Sequence, residues 1–392
     1  MKRKILKPIV YIVIILALLG AGSAGTYFYM TYAQNGRAAQ NGSVQDSSTQ
    51  NGSTTVLKAY DDVRKFMDGG APTVNVSNLD LRDKADIIPT LWFNEKTVWP
   101  SRMPEGINPL NILEAAKNPG LGVRELHKQG ITGKGVNVAI IDQPLYADHP
   151  EFAANIKMYK DFDCKSESSM HGPAVASLLA GKSIGTAPDA GIYYAATPTW
   201  LADAEYEARA LDWIVEENGK LPAGEKIRVV SISGAPSGPG SPFTKNNDLW
   251  DKAVARAEKE GILVLDCTQD HGIIASCFYN GGDVEKPSSY KPGYPRQPTA
   301  IANHIHVPTS PRTTAEEYTK GDFSYQYTGQ GGLSWAIPYC AGTLAMGWQV
   351  NPGLSSEQIV DLLFKSAYKS DGSSLIIDPS AFIKLAKESS GK

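Results

Sequence analysis

The sequence predicts an α/β protein with a mostly parallel sheet covered on both faces by helices. Short apolar runs alternate with amphipathic helical segments from residue 111 onward, the pattern of repeated strand–helix–strand crossovers. The run at 136–141 (VNVAII) is almost continuously apolar and bounded by turns, as befits a strand buried on both faces. It ends on Asp142, and in open α/β sheets ligands gather at the carboxyl ends of strands.

The chain has 392 residues, of which 42% are hydrophobic and 20% charged, with a net charge of −3. This suffices for one large domain with appendages, and without a basic block beyond the extreme N-terminus a nucleic-acid partner is not expected. Lys2, Arg3, Lys4 and Lys7 precede an uncharged segment at 8–33 that is strongly apolar over 9–19. Residues 1–33 therefore read as a signal peptide cleaved near Gly22-Ser23-Ala24 or as an uncleaved signal anchor, the anchor being slightly favoured. Either way the chain is exported: its main domain stands outside the cell membrane or, after cleavage, is secreted. Residues 34–55, with QNG at Gln34, Gln40 and Gln50, form a low-complexity linker expected to be a disordered tether. Cys164, Cys267, Cys277 and Cys340 are too few and scattered for a disulfide framework; Cys267 and Cys277 could pair or stay free thiols. With no CxxC spacing, structural zinc is not expected, and no cofactor is required.

Residues 56–110 read as an N-terminal extension, a collar in preference to a pro-segment, with a short helix at 60–67 and an aromatic run, Leu91-Trp92-Phe93 and Trp99-Pro100, suited to packing on something larger. The main domain, 111–392, opens with a helix carrying Val123 to His127, a turn at 132–135 and the 136–141 strand. Asp142 could cap a helix or hold a ribose, but no GxGxxG accompanies it. His171 heads HGPAVASLLAG, where Pro173 marks a first helical turn and Ala174, Val175, Leu178 and Leu179 supply an apolar face. Then follow a strand within 185–195, a helix at 203–217, a strand at 228–233, a Gly/Pro-rich loop at 234–240, a helix at 249–261 and a strand at 262–265 that feeds DCTQDHG at 266–272. His304 and His306 would share a face of a strand and could hold a metal, although a half-exposed strand is the preferred reading. In 332–342 (GLSWAIPYCAG) Pro338 fixes a helix start near Ser334, and Ala336, Ala341, Gly342, Ala345 and Gly347 let that helix run through the molecule's centre. Alone, Ser334 reads as a cap; among unpaired N–H groups it could also stabilise an anionic oxygen. A helix at 354–366 starting from Ser355 and a last helix from Pro379 complete the chain.

Asp142, His171 and Ser334 together are the parts of a nucleophilic triad: imidazole takes the serine proton, and carboxylate fixes the imidazole tautomer and stabilises the imidazolium. Asp, His, Ser is one of the known triad orders. With VAIIDQPLYADHPEF, HGPAVASLLAG and GLSWAIPYCAG in sequence, the chain resembles the subtilisin-like (subtilase) serine peptidases from about Asn111 to the C-terminus. GITGKGV and GTAPDAGIYYA match as well. The resemblance implies a three-layer α/β/α sandwich, an endopeptidase acting through an acyl-enzyme on peptide or protein substrates, and pairing of the substrate with Ser233, Gly234 and Ala235 by β-augmentation. It also implies an oxyanion hole built by Ser334 and a side chain of the DCTQDHG loop. There the family's asparagine is replaced by Asp270, with Gln269 the alternative donor; loss of that donor in subtilisin itself costs about 10²–10³ in rate. Leu333 stands where threonine is usual, and Pro173-Ala174 replace threonine and histidine. The expectation is an exported serine endopeptidase, slow for want of that asparagine; the alternative is an impaired subtilase-fold protein that binds peptides or a partner protease. Structural calcium is left open, with Asp161 and Asp163 as candidate ligands.

Overall fold

The computed structural model describes residues 56–64, 75–268, 272–370 and 373–389. The expected membrane segment and tether lie outside these residues, and among the described residues no helix is long and apolar enough to cross a membrane.

The extension contributes strand β1 (Trp92–Asn94). Residues 60–64 form a turn and a bridge from Asp62 to Trp92 in place of the expected helix, whose remainder, 65–67, lies outside the described residues. Helices α1 (Pro109–Ala115) and α2 (Val123–Lys128) lead to β2 (Asn137–Asp142), β3 (Ile156–Asp161) and α3 (His171–Ala180). Next come β4 (Gly191–Ala196), α4 (Glu205–Lys220), β5 (Ile227–Ile232), α5 (Asn247–Lys259) and β6 (Leu263–Leu265). The second half holds β7 (Ile274–Tyr279), β8 (Tyr290–Pro292), β9 (Ile305–Ser310), β10 (Arg312–Glu316) and β11 (Ser324–Thr328). Helices α6 (Leu333–Val350) and α7 (Ser356–Ser366), the short β12 (Tyr368–Lys369) and β13 (Leu375–Ile376), and α8 (Pro379–Glu388) finish the fold.

A five-stranded, wholly parallel sheet in the order β3-β4-β2-β5-β6 forms the centre, with β2 in its middle. The alternation along β2 explains the three layers. Val138 and Ile140 point into the core shared with α3 and α6, whereas Ala139 and Ile141 point into the core shared with α4 and α5. All four are fully buried, and each of the larger ones removed from water contributes about 1.5–3 kcal/mol. A second sheet, β12-β13-β9-β7-β8, continues the α/β body beyond β6, with β7, β9 and β13 parallel and its outermost strands antiparallel.

Helix α6 runs through the core, with Ala336, Ala341 and Ala345 at zero exposure and Gly342 buried. A Cβ at Gly342 would stand 2.8 Å from Thr186 Cβ, so the close approach requires glycine. The helix begins at Leu333, one residue from the expected start, with Gly332 as cap, but Pro338 is an interior residue and not part of the first turn. The helix tolerates this because the carbonyl that Pro338 leaves without an intrahelical donor, that of Ser334, accepts a hydrogen bond from Ser233 Oγ at 2.8 Å instead.

The extension is woven into the body. β1 pairs antiparallel with β11, which pairs with β10, and Phe93 stacks on Tyr327 with ring centroids 4.8 Å apart. Helix α1 straddles the expected boundary at 110/111, its Leu113 packing with the extension's core. Beneath β1, Arg64 is withdrawn from solvent. Its guanidinium pairs with Asp62 at 2.7 Å, bonds the Gln326 side chain and lies 3.8 Å from the buried Glu316 carboxylate. Glu316 in turn accepts from Asn94 at 3.2 Å and from Ser324 at 3.1 Å.

Candidate active site

Asp142 is the last residue of the central strand, so the strand delivers its carboxylate to the edge of the sheet, 3% exposed. Oδ1 accepts the Gln143 N–H at 2.8 Å and the His171 Nδ1–H at 2.6 Å. An imidazole donating from Nδ1 to a carboxylate keeps Nε2 as its basic nitrogen.

His171 reaches this carboxylate because α3 starts hard against the loop after β2. Gly172 makes this possible: a Cβ there would lie 2.3 Å from the Gln143 carbonyl and 2.8 Å from both the Pro144 carbonyl and the Tyr194 hydroxyl. Ser169 ties the same pieces together, donating to Pro144 O at 2.9 Å and accepting the Gly172 N–H at 3.0 Å. Tyr194 donates to Gln143 O at 2.5 Å, and burial, with Asp142 nearby, pushes its phenol well above the ordinary range.

Ser334 is half-buried in the first turn of α6. It does not cap its helix: its hydroxyl donates to Ser233 O at 3.2 Å, and its carbonyl accepts from Ser233 Oγ, so the two serines clasp each other. Ser233 also lines a small void of about 10 Å³ together with Asp142, Gln143, His171, Thr199 and Gly234, room for a single water. Asp142 and His171 thus meet at this void, and Ser334 is joined to it through Ser233, toward which its hydroxyl is turned.

Of the expected substrate strand, Ser233 and Gly234 line this void. Gly234 O already accepts from Cys267 N at 2.8 Å and Ala235 O from Ser241 Oγ at 2.6 Å. Gln269 and Asp270 lie outside the described residues. Just before them Asp266 is buried and anchored, accepting from Trp250 Nε1 at 3.2 Å and Thr268 Oγ1 at 2.7 Å.

His304 and His306 do not form a metal pair. His306 is buried in β9, accepting from Ile301 N at 3.1 Å and meeting Leu375 O through Nδ1, while His304 precedes the strand and bonds Ala302 O. Asp161 accepts from Cys164 N, and Asp163 pairs with Arg209 at 3.5 Å. Among the described residues no group of three or more His, Cys, Asp or Glu is arranged to hold a metal. All four cysteines are free, so Cys267 and Cys277 are not bridged.

Three contributors escaped the sequence reading. Gly172 and Ser169 act through backbone contacts that only the folded chain displays, although a glycine directly after the histidine was a hint. Trp335, directly after the serine, places its ring 5.4 Å from that of His171.

A carboxylate–imidazole pair at the end of a central parallel strand, linked through Ser233 to a serine hydroxyl at a helix start, resembles the layout of an α/β serine hydrolase. Comparison with known proteins narrows the class. The sequence model of the Subtilase family (peptidase S8) matches residues 133–307, a stretch that includes Asp142 and His171. Subtilisin E of Bacillus subtilis is 25% identical over 260 residues, covering 62% of this chain and 63% of its own length. A probable subtilase-type serine protease of Deinococcus radiodurans is 26% identical over 294 residues, covering 62% of this chain and 38% of the relative. The alignment to subtilisin E thus spans just under two thirds of that relative. Among solved structures, fervidolysin from Fervidobacterium pennivorans, described as a keratinolytic enzyme related to subtilisin, superposes with a TM-score of 0.51 at 16% identity, covering 67% of this chain and 44% of its own. A chain of the subtilase cytotoxin SubAB gives 0.52 at 16% identity, over 70% of this chain and 98% of that one. These two likenesses concern the fold. The chain is similar to the subtilisin-like (subtilase) serine peptidases, whose family model it matches over residues 133–307.

Proposed function

We propose that this chain is an exported serine endopeptidase in which Asp142, His171 and Ser334 serve as acid, base and nucleophile. The observation that carries the reading is the 2.6 Å bond between His171 Nδ1 and Asp142 Oδ1 beside the void that Ser233, clasped to Ser334, also lines. Rotation of the Ser334 hydroxyl away from Ser233 toward Nε2 would complete the relay. Hydrogen bonds of this kind are often long or absent before substrate binds. Nε2 then takes the serine proton as Oγ attacks the scissile carbonyl and later returns it to the leaving amine.

The substrate is a peptide or protein laid along Ser233, Gly234 and Ala235, with the Ser334 N–H and a group from Gln269 or Asp270 facing the oxyanion. A carboxylate at Asp270 would repel that charge unless protonated, so Asp270→Asn is expected to raise the acylation rate. The apolar segment at 8–33, read from sequence, would place the catalytic domain outside the membrane. Asp161 and Asp163 remain candidate calcium ligands, to be tested by the change in thermal stability on chelation.

A fluorophosphonate probe tests the assignment. Wild type is expected to be labelled and Ser334→Ala and His171→Ala not. No labelling of wild type, or equal labelling of Ser334→Ala, would overturn it.

A further inference from the structure

We infer that the N-terminal extension is a working part of this catalytic centre: Trp92, acting through Trp335, is a positioning residue for His171. The inference rests on the triad reading above but concerns residues that reading does not use.

One apolar cluster joins three parts of the chain. It contains Met170, just before the helix that begins at His171, and Ala174 and Leu178 on one face of that helix; Trp335, directly after Ser334; and Trp92 from the extension. The Trp335 ring centroid lies 5.4 Å from that of His171 and 6.5 Å from that of Trp92, so the three rings form a chain from extension to imidazole. Both indoles are nearly sealed from solvent, at 5% for Trp92 and 3% for Trp335.

Trp92 is itself held on several sides. Its backbone pairs with Thr328 of β11 and, through Asp61 and Val63, with the segment carrying Arg64, whose guanidinium carbon lies 4.9 Å from its ring centroid. Trp335 packs closely on Gly331, where even a Cβ would come within 2.9 Å of Trp335 Cδ1. The Asp142 bond fixes the imidazole at Nδ1 alone, which leaves the ring free to tilt about that bond. A wall of indole beside it removes that freedom. Misplacing a catalytic group by about 1 Å costs up to about 10²-fold in rate, so loss of the wall should be read in turnover and leave substrate affinity nearly unchanged.

The neighbouring residue supplies the control. Phe93 points to the opposite side of β1, into the extension's own core against Tyr327 and Trp99. In the full chain, Trp92→Ala is expected to lower kcat about 10-fold or more with KM within about twofold. The far-downfield proton resonance of His171 Nδ1–H, assigned by its loss in His171→Ala, should weaken by faster exchange. Trp92→Phe should restore most of both, and Phe93→Leu should lower thermal stability while leaving kcat and the resonance as in wild type. The inference is overturned if Trp92→Ala keeps both, or if Phe93→Leu at matched stability loses them equally. Should Trp92→Ala fail to fold, Trp92→Leu is judged by the same two readouts. Should wild type show no turnover, the peptidase reading fails, whereas the resonance still decides the role of Trp92.

Discussion

Glu207 offers a quantitative test of the electrostatics around the site. It lies in the first turn of α4, fully buried, and neither carboxyl oxygen has a hydrogen-bond partner; the Thr197 hydroxyl faces it without reaching bonding geometry and is unpaired too. Burial, with Asp203 and Asp142 adding to it, pushes its carboxyl from about 4.5 up to about 8. The protonated form is therefore the one the fold accepts. Its stability is fully present below pH 4.5 and is lost as pH rises toward 8, because over that window the folded state binds more protons than the unfolded one. At about 1.4 kcal/mol per pH step the loss approaches a ceiling of about 5 kcal/mol, a large fraction of the 5–15 kcal/mol typical of a domain. Glu207→Gln keeps the shape and removes the titration. Urea unfolding of wild type and variant at pH 5, 7 and 9 should show near-equal stability at pH 5 and an advantage to the variant of several kcal/mol at pH 9. A difference that stays constant across the three pH values would refute the reasoning.

Three further substitutions probe the framework. Gly172→Ala sets a methyl group 2.3 Å from a backbone carbonyl; the start of α3 must shift, with an expected loss of about 1–3 kcal/mol and at least about 10²-fold in kcat/KM, measured by denaturation and peptide hydrolysis. Ser233→Ala strips the Ser334 carbonyl of its donor and should cost about 1–3 kcal/mol, read as a lower midpoint in thermal unfolding; no change would mean that water replaces the hydroxyl. Arg64→Ala leaves buried Glu316 without its cation and should destabilise the chain by about 3–5 kcal/mol; a loss under about 1 kcal/mol in urea unfolding would show that the pair contributes little.

Strands and helices of the parallel body were legible because their apolar patterns are set by burial that the chain itself encodes. VNVAII is continuous because both faces of β2 are covered, and Ser355 announces its helix through a capping box with Gln358. The site was legible where residue type and motif coincide, as at Asp142 and His171. What escaped depends on partners distant in sequence. The place of Pro338 was misjudged because the donor that rescues its helix, Ser233, lies about a hundred residues upstream. The extension's first segment follows backbone pairing with Trp92, which local helical periodicity around residues 60–67 does not record.

Since β11 lies between β1 and β10, a chain shortened past Asn94 would bare the side of β11 at Gln326, Tyr327 and Thr328, leaving that edge without its partner strand and the aromatic surface under Phe93 uncovered. Such an edge recruits any strand that fits, including one from a neighbouring copy. Truncation from the N-terminus would then yield a self-associating species in place of a trimmed monomer, and the extension doubles as a guard against that fate.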